Sequence, residues 1–273
     1  FLERRALPGI EEVSGLQYRR CLNPQDPEPQ WLSVRWHEDG LLCEVPLSVA
    51  ENLAELLRRV RRVFDLDADP EIIDERISRD ELLAGVVRAA PGLRVPGAWD
   101  GFETTVRAIL GQQVSVARAT DLATRLCSRF GHGAFPDPGQ LADADVSAIG
   151  MPGQRGAAIR HLAQAVLAGD LVLNESADFA ELTRSLMTVK GIGAWTTGYA
   201  GMRVAKDPDA FPENDWVVVK ALAATPAQAR RMAESWRPWR AYGVMYIWKL
   251  AERQRQSGNW PPVNVPDSRP ERS

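Results

Sequence analysis

The segment from Leu186 to Thr197 constrains the fold more than any other part of this 273-residue chain. It has the pattern of one helix end, a Gly191-Ile192-Gly193 turn and the start of another helix. Two closely spaced glycines allow positive φ and close approach of a second backbone. The first amides of the following helix have no intrahelical partner, and the helix dipole favours an anion there. The turn therefore predicts an anion-binding hairpin, with a nucleic-acid phosphate as a natural ligand, or an ordinary helical hairpin.

Helical patterns dominate from about Ile72 onward, and Pro/Gly breaks separate the segments. The predicted helices cover 102–130, with an interruption around Gly111, and then 155–168, 179–188, 194–205, 226–237 and 241–255. No internal repeat accompanies them. The bulk of the chain is therefore predicted to be all-α.

The part before Ile72 has a different pattern. Apolar and polar residues alternate at 31–37 and in part of 41–45, on either side of Glu38-Asp39-Gly40, which predicts a β-hairpin. Ser48 to Glu51 has capping-box spacing and predicts a helix that continues through Phe64. The first part of the chain is therefore predicted to be α+β.

Composition excludes several classes of protein. Hydrophobic residues make up 45% of the chain and charged residues 25%, as in globular domains. No apolar run is long enough to span a bilayer, and no secretory signal stands at the start. Cys21, Cys43 and Cys127 have neither metal-binding spacing nor a disulfide framework, so we interpret them as reduced cysteines of a cytoplasmic protein. The chain begins at Phe1 rather than Met, as a fragment, a processed chain or a part of a longer protein would.

Charge is distributed unevenly, although the net charge is only −3. Residues 65–81 contain eight acids and two arginines, whereas residues 216–256 contain eight Lys or Arg and two acids. This asymmetry predicts either one face suited to phosphates or two solvated faces.

The chain resembles the AlkA-type 3-methyladenine DNA glycosylases of the helix-hairpin-helix superfamily. Five blocks in the family order carry the resemblance: RAILGQQVSV from Arg107, GMP from Gly150, GIGAWT from Gly191, FPEND from Phe211 and WRPWR from Trp236. It implies a mainly α fold, a helix-hairpin-helix glycosylase core with a small N-terminal TBP-like α+β domain. The division expected is 1–76 for the α+β domain, 77–257 for the core and 258–273 for a flexible, proline-rich tail. The iron–sulfur cluster of some relatives is excluded, because no cysteine follows Cys127.

The resemblance also implies a monofunctional glycosylase that flips alkylated bases, such as 3-methyladenine and 7-methylguanine, out of the duplex and excises them in base excision repair. Asp215 is the expected catalytic residue, since a carboxylate can stabilise a cationic sugar or activate a water. Glu213 is the nearest rival, and Asn214 is a candidate N-cap for the following segment. Superfamily lyases place a lysine nucleophile two residues after the glycine turn. Trp195 occupies that position here, and Lys190 comes too early, so a Schiff-base mechanism is not expected.

The aromatic and polar residues of the blocks have implied roles as well. Trp195 and Tyr199 share a helix face, and with Trp248 and Phe1 they are expected to form a base pocket that favours cationic bases. Trp236, Trp239 and Tyr242 are predicted to be core residues. The expected DNA contacts are Gln112, Gln113, Lys190, Gly191, Gly193 and Thr196. Gln113 falls at the wedge position, where related proteins have leucine, and it would fill the gap left by the flipped base.

No cofactor is expected to be required. The resemblance implies a structural Na⁺ or K⁺ at the hairpin, held by the backbone carbonyls of Met187, Val189 and Gly191. The expected partner is double-stranded DNA with alkylated bases. The protein is expected to be a monomer without membrane contact in the bacterial cytoplasm, associated with the nucleoid. Two alternatives stay open, a non-catalytic hairpin module that only grips DNA and a structural helical domain. Asp215 and the aromatic residues favour the enzyme over the non-catalytic module, which does not require them, and the five matching blocks argue against the structural domain.

Overall fold

The computed structural model describes residues 1–174 and 178–258, which divide into two compact units. The first unit consists of Phe1–Ala68 and Arg94–Pro212, and the second of Asp69–Leu93 and the described residues from Glu213 onward. The predicted tail, apart from Gly258, lies outside the described residues. The division at residues 76 and 257 stays a prediction.

A four-stranded antiparallel sheet lies near the start of the first unit. Its strands are β1 (Glu11–Ser14), β2 (Gln17–Cys21), β3 (Trp31–His37) and β4 (Gly40–Glu44), in that spatial order. The predicted hairpin is confirmed as β3 and β4, where His37 pairs with Gly40. The sequence analysis did not find β1 and β2.

α-Helices make up most of the regular secondary structure of the described residues. In chain order these are α1 (Leu53–Phe64), α2 (Pro70–Ile77), α3 (Glu81–Ala89), α4 (Gly101–Leu110), α5 (Val116–Phe130), α6 (Pro138–Leu141), α7 (Gly153–Leu167), α8 (Phe179–Thr188), α9 (Ala194–Arg203), α10 (Trp216–Ala221), α11 (Pro226–Ala233) and α12 (Arg240–Gln256). The mainly α class is confirmed, as is the interruption of the long 102–130 segment.

The predicted capping box at Ser48 is wrong. Residues 47–52 form a 3₁₀ helix, and α1 begins only at Leu53, after Asn52, which makes no side-chain cap. A serine at this place therefore does not mark the start of the α-helix. The inner face of α1, with Leu56 and Val60, nevertheless packs against Leu32 and Val34 of the sheet.

A buried ion network joins the sheet to α4 within the first unit. Glu103 accepts from Arg20 (Nη2–Oε2 2.6 Å) and from Arg107 (Nη1–Oε1 2.8 Å), and Arg107 also pairs with Glu11 at 3.0 Å. Burial disfavours the charge of Glu103, but the two arginines outweigh it and lower the pKa of that carboxyl to about 2. The network fixes α4 against β1 and β2.

The second unit has its core around α12. Trp236 is buried, and its indole N–H donates to Asp80 Oδ2 at 2.8 Å. A Cβ at Gly243 would lie 2.4 Å from the Trp236 ring, so α12 approaches this ring without a side chain between them. Tyr242 is buried and Trp239 half-buried, in an edge-to-face contact with Tyr242. The core roles predicted for Trp236 and Tyr242 are confirmed, and Trp239 packs at the margin of this core.

Candidate active site

The predicted hairpin is present between α8 and α9. Gly191 has φ +94°, and a Cβ there would lie 2.6 Å from the Ala158 Cβ of α7. Only glycine satisfies both the left-handed backbone and this close approach. Gly193 has an extended backbone with open space beside it, directly before the first amides of α9. The hairpin therefore presents a helix N-terminus that is not covered by a side chain of residue 193.

Helix α7 holds the hairpin at a second point. His161 Nδ1 lies 3.2 Å from the carbonyl oxygen of Lys190 and, in the matching tautomer, donates a hydrogen bond to it. The Lys190 side chain is exposed. His161 thus contacts the backbone of the turn through its side chain.

The Gln-Gln block after α4 meets α9 through one of its two glutamines. Gln112 Nε2 donates to Thr196 Oγ1 at 2.9 Å, and Thr196 is buried. The Thr196 side chain is therefore packed inside the protein and bound by Gln112, rather than exposed for a contact with DNA. Gln113 is exposed and has φ +56°, a left-handed conformation that is uncommon for a residue with a side chain. Of the two glutamines, Gln113 is the one that extends into solvent.

The aromatic residues of the first unit form a cluster with two arginines. Trp195 and Tyr199 stack, with ring centroids 5.4 Å apart and planes at 25°. Arg203 Nη1 donates to the Tyr199 hydroxyl at 3.2 Å, and its guanidinium carbon lies 4.3 Å from the Phe1 ring centroid. The Arg5 guanidinium lies 3.9 Å from the same centroid. The structure brings three predicted pocket residues into this cluster. The sequence analysis missed both arginines, which carry no recognisable motif.

Asp215 lies in the second unit, at the start of α10. It is 5% exposed, and its Oδ1 accepts from the Val218 amide at 2.9 Å and from the Trp248 indole N–H at 3.2 Å. Two donors therefore fix the orientation of the carboxylate. The cap predicted at Asn214 is wrong. Asp215 is the N-cap, and Asn214 takes a left-handed conformation (φ +62°) that turns the chain into the helix.

Glu213, the rival acid, has a different environment. Its side chain is 46% exposed and lies 3.5 Å from Arg230. Such a solvated pair contributes little to stability and leaves the carboxylate in water. The geometry favours Asp215 as the reactive acid, because a buried and oriented carboxylate interacts more strongly with a developing positive charge.

Within residues 1–174 and 178–258, every helix is too short or too polar to span a bilayer. The same residues contain no group of three or more His, Cys, Asp and Glu side chains that could hold a metal ion.

Family models cover most of the chain. Residues 1–100 match the AlkA N-terminal domain, and residues 106–241 match the HhH-GPD superfamily base excision DNA repair proteins. The first match contains the four-stranded sheet, and the second contains the hairpin and Asp215. The chain belongs to the HhH-GPD superfamily of base excision DNA repair proteins, and within it to the DNA-3-methyladenine glycosylases, as its relatives show.

The chain is 40% identical to DNA-3-methyladenine glycosylase 2 of Escherichia coli over 91% of its own length and 90% of that protein. It is 36% identical to a probable bifunctional transcriptional activator/DNA repair enzyme AlkA of Mycobacterium tuberculosis, and there it spans 55% of the relative. Among solved structures, a 3-methyladenine DNA-glycosylase from Archaeoglobus fulgidus has a TM-score of 0.75 at 20% identity and covers 93% of this chain and 92% of its own. At this level of identity the similarity shows that the two chains share a fold.

Proposed function

We propose that this chain excises alkylated bases, 3-methyladenine and 7-methylguanine among them, from double-stranded DNA by hydrolysis of the glycosidic bond after base flipping. The observation that carries the proposal is the buried Asp215 carboxylate, whose Oδ1 is held by the Val218 amide and the Trp248 indole. The family of the chain supports the substrate class.

The chemistry requires one well-placed negative charge. As the bond between C1′ and the base nitrogen breaks, its electron pair goes to the base and positive charge develops on the sugar. An alkylated purine enters as a cation and therefore leaves as a neutral molecule. Asp215 stabilises the sugar cation while a water oxygen bonds to C1′, and the proton of that water passes to the carboxylate or to solvent. The products are the free base and an abasic sugar with a hydroxyl group at C1′.

The first unit supplies the proposed grip on DNA. The amides at the start of α9, which follow the uncovered Gly193, suit a backbone phosphate. Lys190 is exposed on the same turn, where it would contact the DNA strand. Gln113 is exposed on the loop after α4, where it would fill the gap left by the flipped base. These roles rest on the family and on the exposure of the groups.

A monovalent cation at the hairpin is part of the proposal. The carbonyls of Met187, Val189 and Gly191 would hold it, and neutral carbonyl oxygens are suitable ligands for Na⁺ or K⁺. The Val189 carbonyl accepts from the Ile192 amide at 3.1 Å, and a carbonyl oxygen keeps a second lone pair for an ion. The cation would add positive charge next to the phosphate.

The identity of residue 195 supports a monofunctional mechanism, in which no amine of the enzyme attacks the sugar. Trp195, and not lysine, stands two positions after Gly193, and its ring stacks on Tyr199. Water is therefore the proposed nucleophile. We place the reaction in a monomeric enzyme of the bacterial cytoplasm that acts on nucleoid DNA.

The test is release of 3-methyladenine and 7-methylguanine from methylated DNA by the wild type and by Asp215→Asn. We expect the variant to be slower by about 10²–10³-fold, the usual loss when one preorganised electrostatic group is removed. Glu213→Gln is the matched control, since that acid is exposed, and it should keep the wild-type rate within about threefold. Release by Asp215→Asn at the wild-type rate would refute the mechanism. DNA binding without release by the wild type would support the non-catalytic module.

A further inference from the structure

Arg203, the last residue of α9, is a buried cationic residue. It is 5% exposed, and among the described residues it forms no ion pair. Its Nε has no hydrogen-bond acceptor in that part of the chain, and its Nη1 donates to a neutral phenol, that of Tyr199. A buried charge without a counter-ion is costly, which makes Arg203 a candidate for a role that uses the charge itself.

Arg5 adds a second charge to the same place. Its guanidinium stacks on Phe1 and contacts Tyr199, and no carboxylate among the described residues pairs with it. Burial lowers the pKa of both arginines, but a guanidinium stays protonated in proteins. Phe1 and Tyr199 are thus each in contact with two cations.

The nearby acids do not neutralise this pair. Glu11 and Glu103 are engaged by Arg20 and Arg107 in the buried network. Asp65 binds Lys206 and accepts from the Val95 amide at 2.9 Å. Within the part of the chain that the structure describes, no carboxylate therefore compensates the positive charge of the aromatic cluster.

We propose that Arg203, assisted by Arg5, is a specificity-determining residue that sets which charge of base the pocket favours. This inference rests on the proposed function and on the expectation from the family resemblance that Phe1 and Tyr199 line the base pocket. A base that enters uncharged keeps the electron pair of the broken C1′–N bond and leaves as an anion, which takes a proton from solvent afterwards. A nearby guanidinium stabilises that anion in the transition state. A base that enters as a cation is repelled by the same charge and gains less from it.

The experiment compares kcat/KM on duplexes with one 7-methylguanine, a cationic base, or one hypoxanthine, an uncharged base. For Arg203→Gln we expect the ratio of hypoxanthine to 7-methylguanine excision to fall by at least about tenfold, because the two transition states carry opposite charge on the base. The fall should come from slower hypoxanthine release, with 7-methylguanine unchanged or faster. Arg203→Lys keeps the charge and should keep the wild-type ratio within about threefold.

The matched control is Arg129→Gln. Arg129 is exposed and lies over the Phe130 ring at 5.8 Å, so it shares the arginine–aromatic contact but not the cluster. Its ratio should equal that of the wild type. An equal loss on both bases in Arg203→Gln would show that the residue only supports packing, and would overturn the proposal. A wild type that releases 7-methylguanine but no hypoxanthine would overturn it as well.

Folding is checked by thermal unfolding of each variant. If Arg203→Gln does not fold, Arg5→Gln carries the test, because Arg5 is only half-buried. The expected shift of the ratio there is about threefold or more in the same direction, and an unchanged ratio would count against the proposal. Failure of the proposed function looks different, since the wild type would then release neither base.

Discussion

Replacement of Trp248 by phenylalanine tests whether the indole N–H orients the reactive carboxylate. The substitution removes the donor that lies 3.2 Å from Asp215 Oδ1 and keeps an aromatic ring at the position. A hydrogen bond to a charged group contributes about 1.5–3 kcal/mol. The Val218 amide stays as a second donor at 2.9 Å, so the lower end of that range applies. Since about 1.4 kcal/mol corresponds to tenfold in rate, we expect base release to slow by about tenfold.

The assay is single-turnover release of 7-methylguanine with enzyme in excess. The rate at saturating enzyme reports the chemical step, and the half-saturating concentration reports binding. Because the ring is kept, the half-saturating concentration should change by less than about threefold, whereas loss of a stacking contact would change it. Trp248→Ala removes both contributions and should change both quantities.

Trp239→Phe is the control. Trp239 is half-buried in the same unit and packs edge-to-face on Tyr242, so its substitution should leave the rate within about twofold. A Trp248→Phe variant with the full wild-type rate would refute the orientation argument and leave Trp248 with a stacking role only.

Three further predictions concern the fold and the mechanism. Gly191→Ala should weaken DNA binding by more than about tenfold and lower the thermal unfolding midpoint, because a Cβ at φ +94° would meet Ala158 at 2.6 Å; Gly193→Ala, which has open space, is its control for folding, and fluorescence anisotropy measures the affinity. Glu103→Gln should destabilise the protein by about 3–5 kcal/mol at pH 7, as a broken buried ion pair does. The wild-type carboxyl has a pKa of about 2 in the fold and an ordinary value of 4.5, so its contribution is present above about pH 4.5 and is lost as pH falls towards 2; urea unfolding across this range should show a smaller acid dependence in the variant. Borohydride should trap no covalent protein–DNA adduct during base release, and an adduct seen on a denaturing gel would show that an amine of the chain attacks the sugar.

The hairpin was predictable because its signals are local. Two glycines, a preceding apolar helix pattern and a restarted helix all lie within one short segment, and the structure has α8 and α9 at 179–188 and 194–203. The break after Gly111 was predictable for the same reason. Local turn chemistry therefore accounts for the helix boundaries at the hairpin and at Gly111.

The missed strands show where a periodic pattern fails. β1 and β2 are short and carry Glu11 and Arg20, which are both buried. When one face of a sheet is exposed to solvent, charged residues such as these are expected to lie on that exposed face. They are tolerated inside because Glu103 and Arg107 of α4 pair with them, and no window of β1 or β2 contains that information. Arg5 and Arg203 were missed for a related reason, since their shared contact with Phe1 exists only in the folded unit.

The position of Asp215 combines a structural requirement with a chemical one. As the N-cap of α10 it must accept a hydrogen bond from Val218, and asparagine would meet that requirement as well as aspartate does. The cap alone therefore does not explain a negative charge at a residue that is 5% exposed, where burial makes the charge costly. A second donor, the Trp248 indole, binds the same oxygen. Helix capping requires only the Val218 hydrogen bond, so the second donor restricts the carboxylate beyond what capping requires. The charge is thus best explained by a cation that forms beside it during the reaction, and Asp215→Asn separates the two requirements because it keeps the cap and removes the charge.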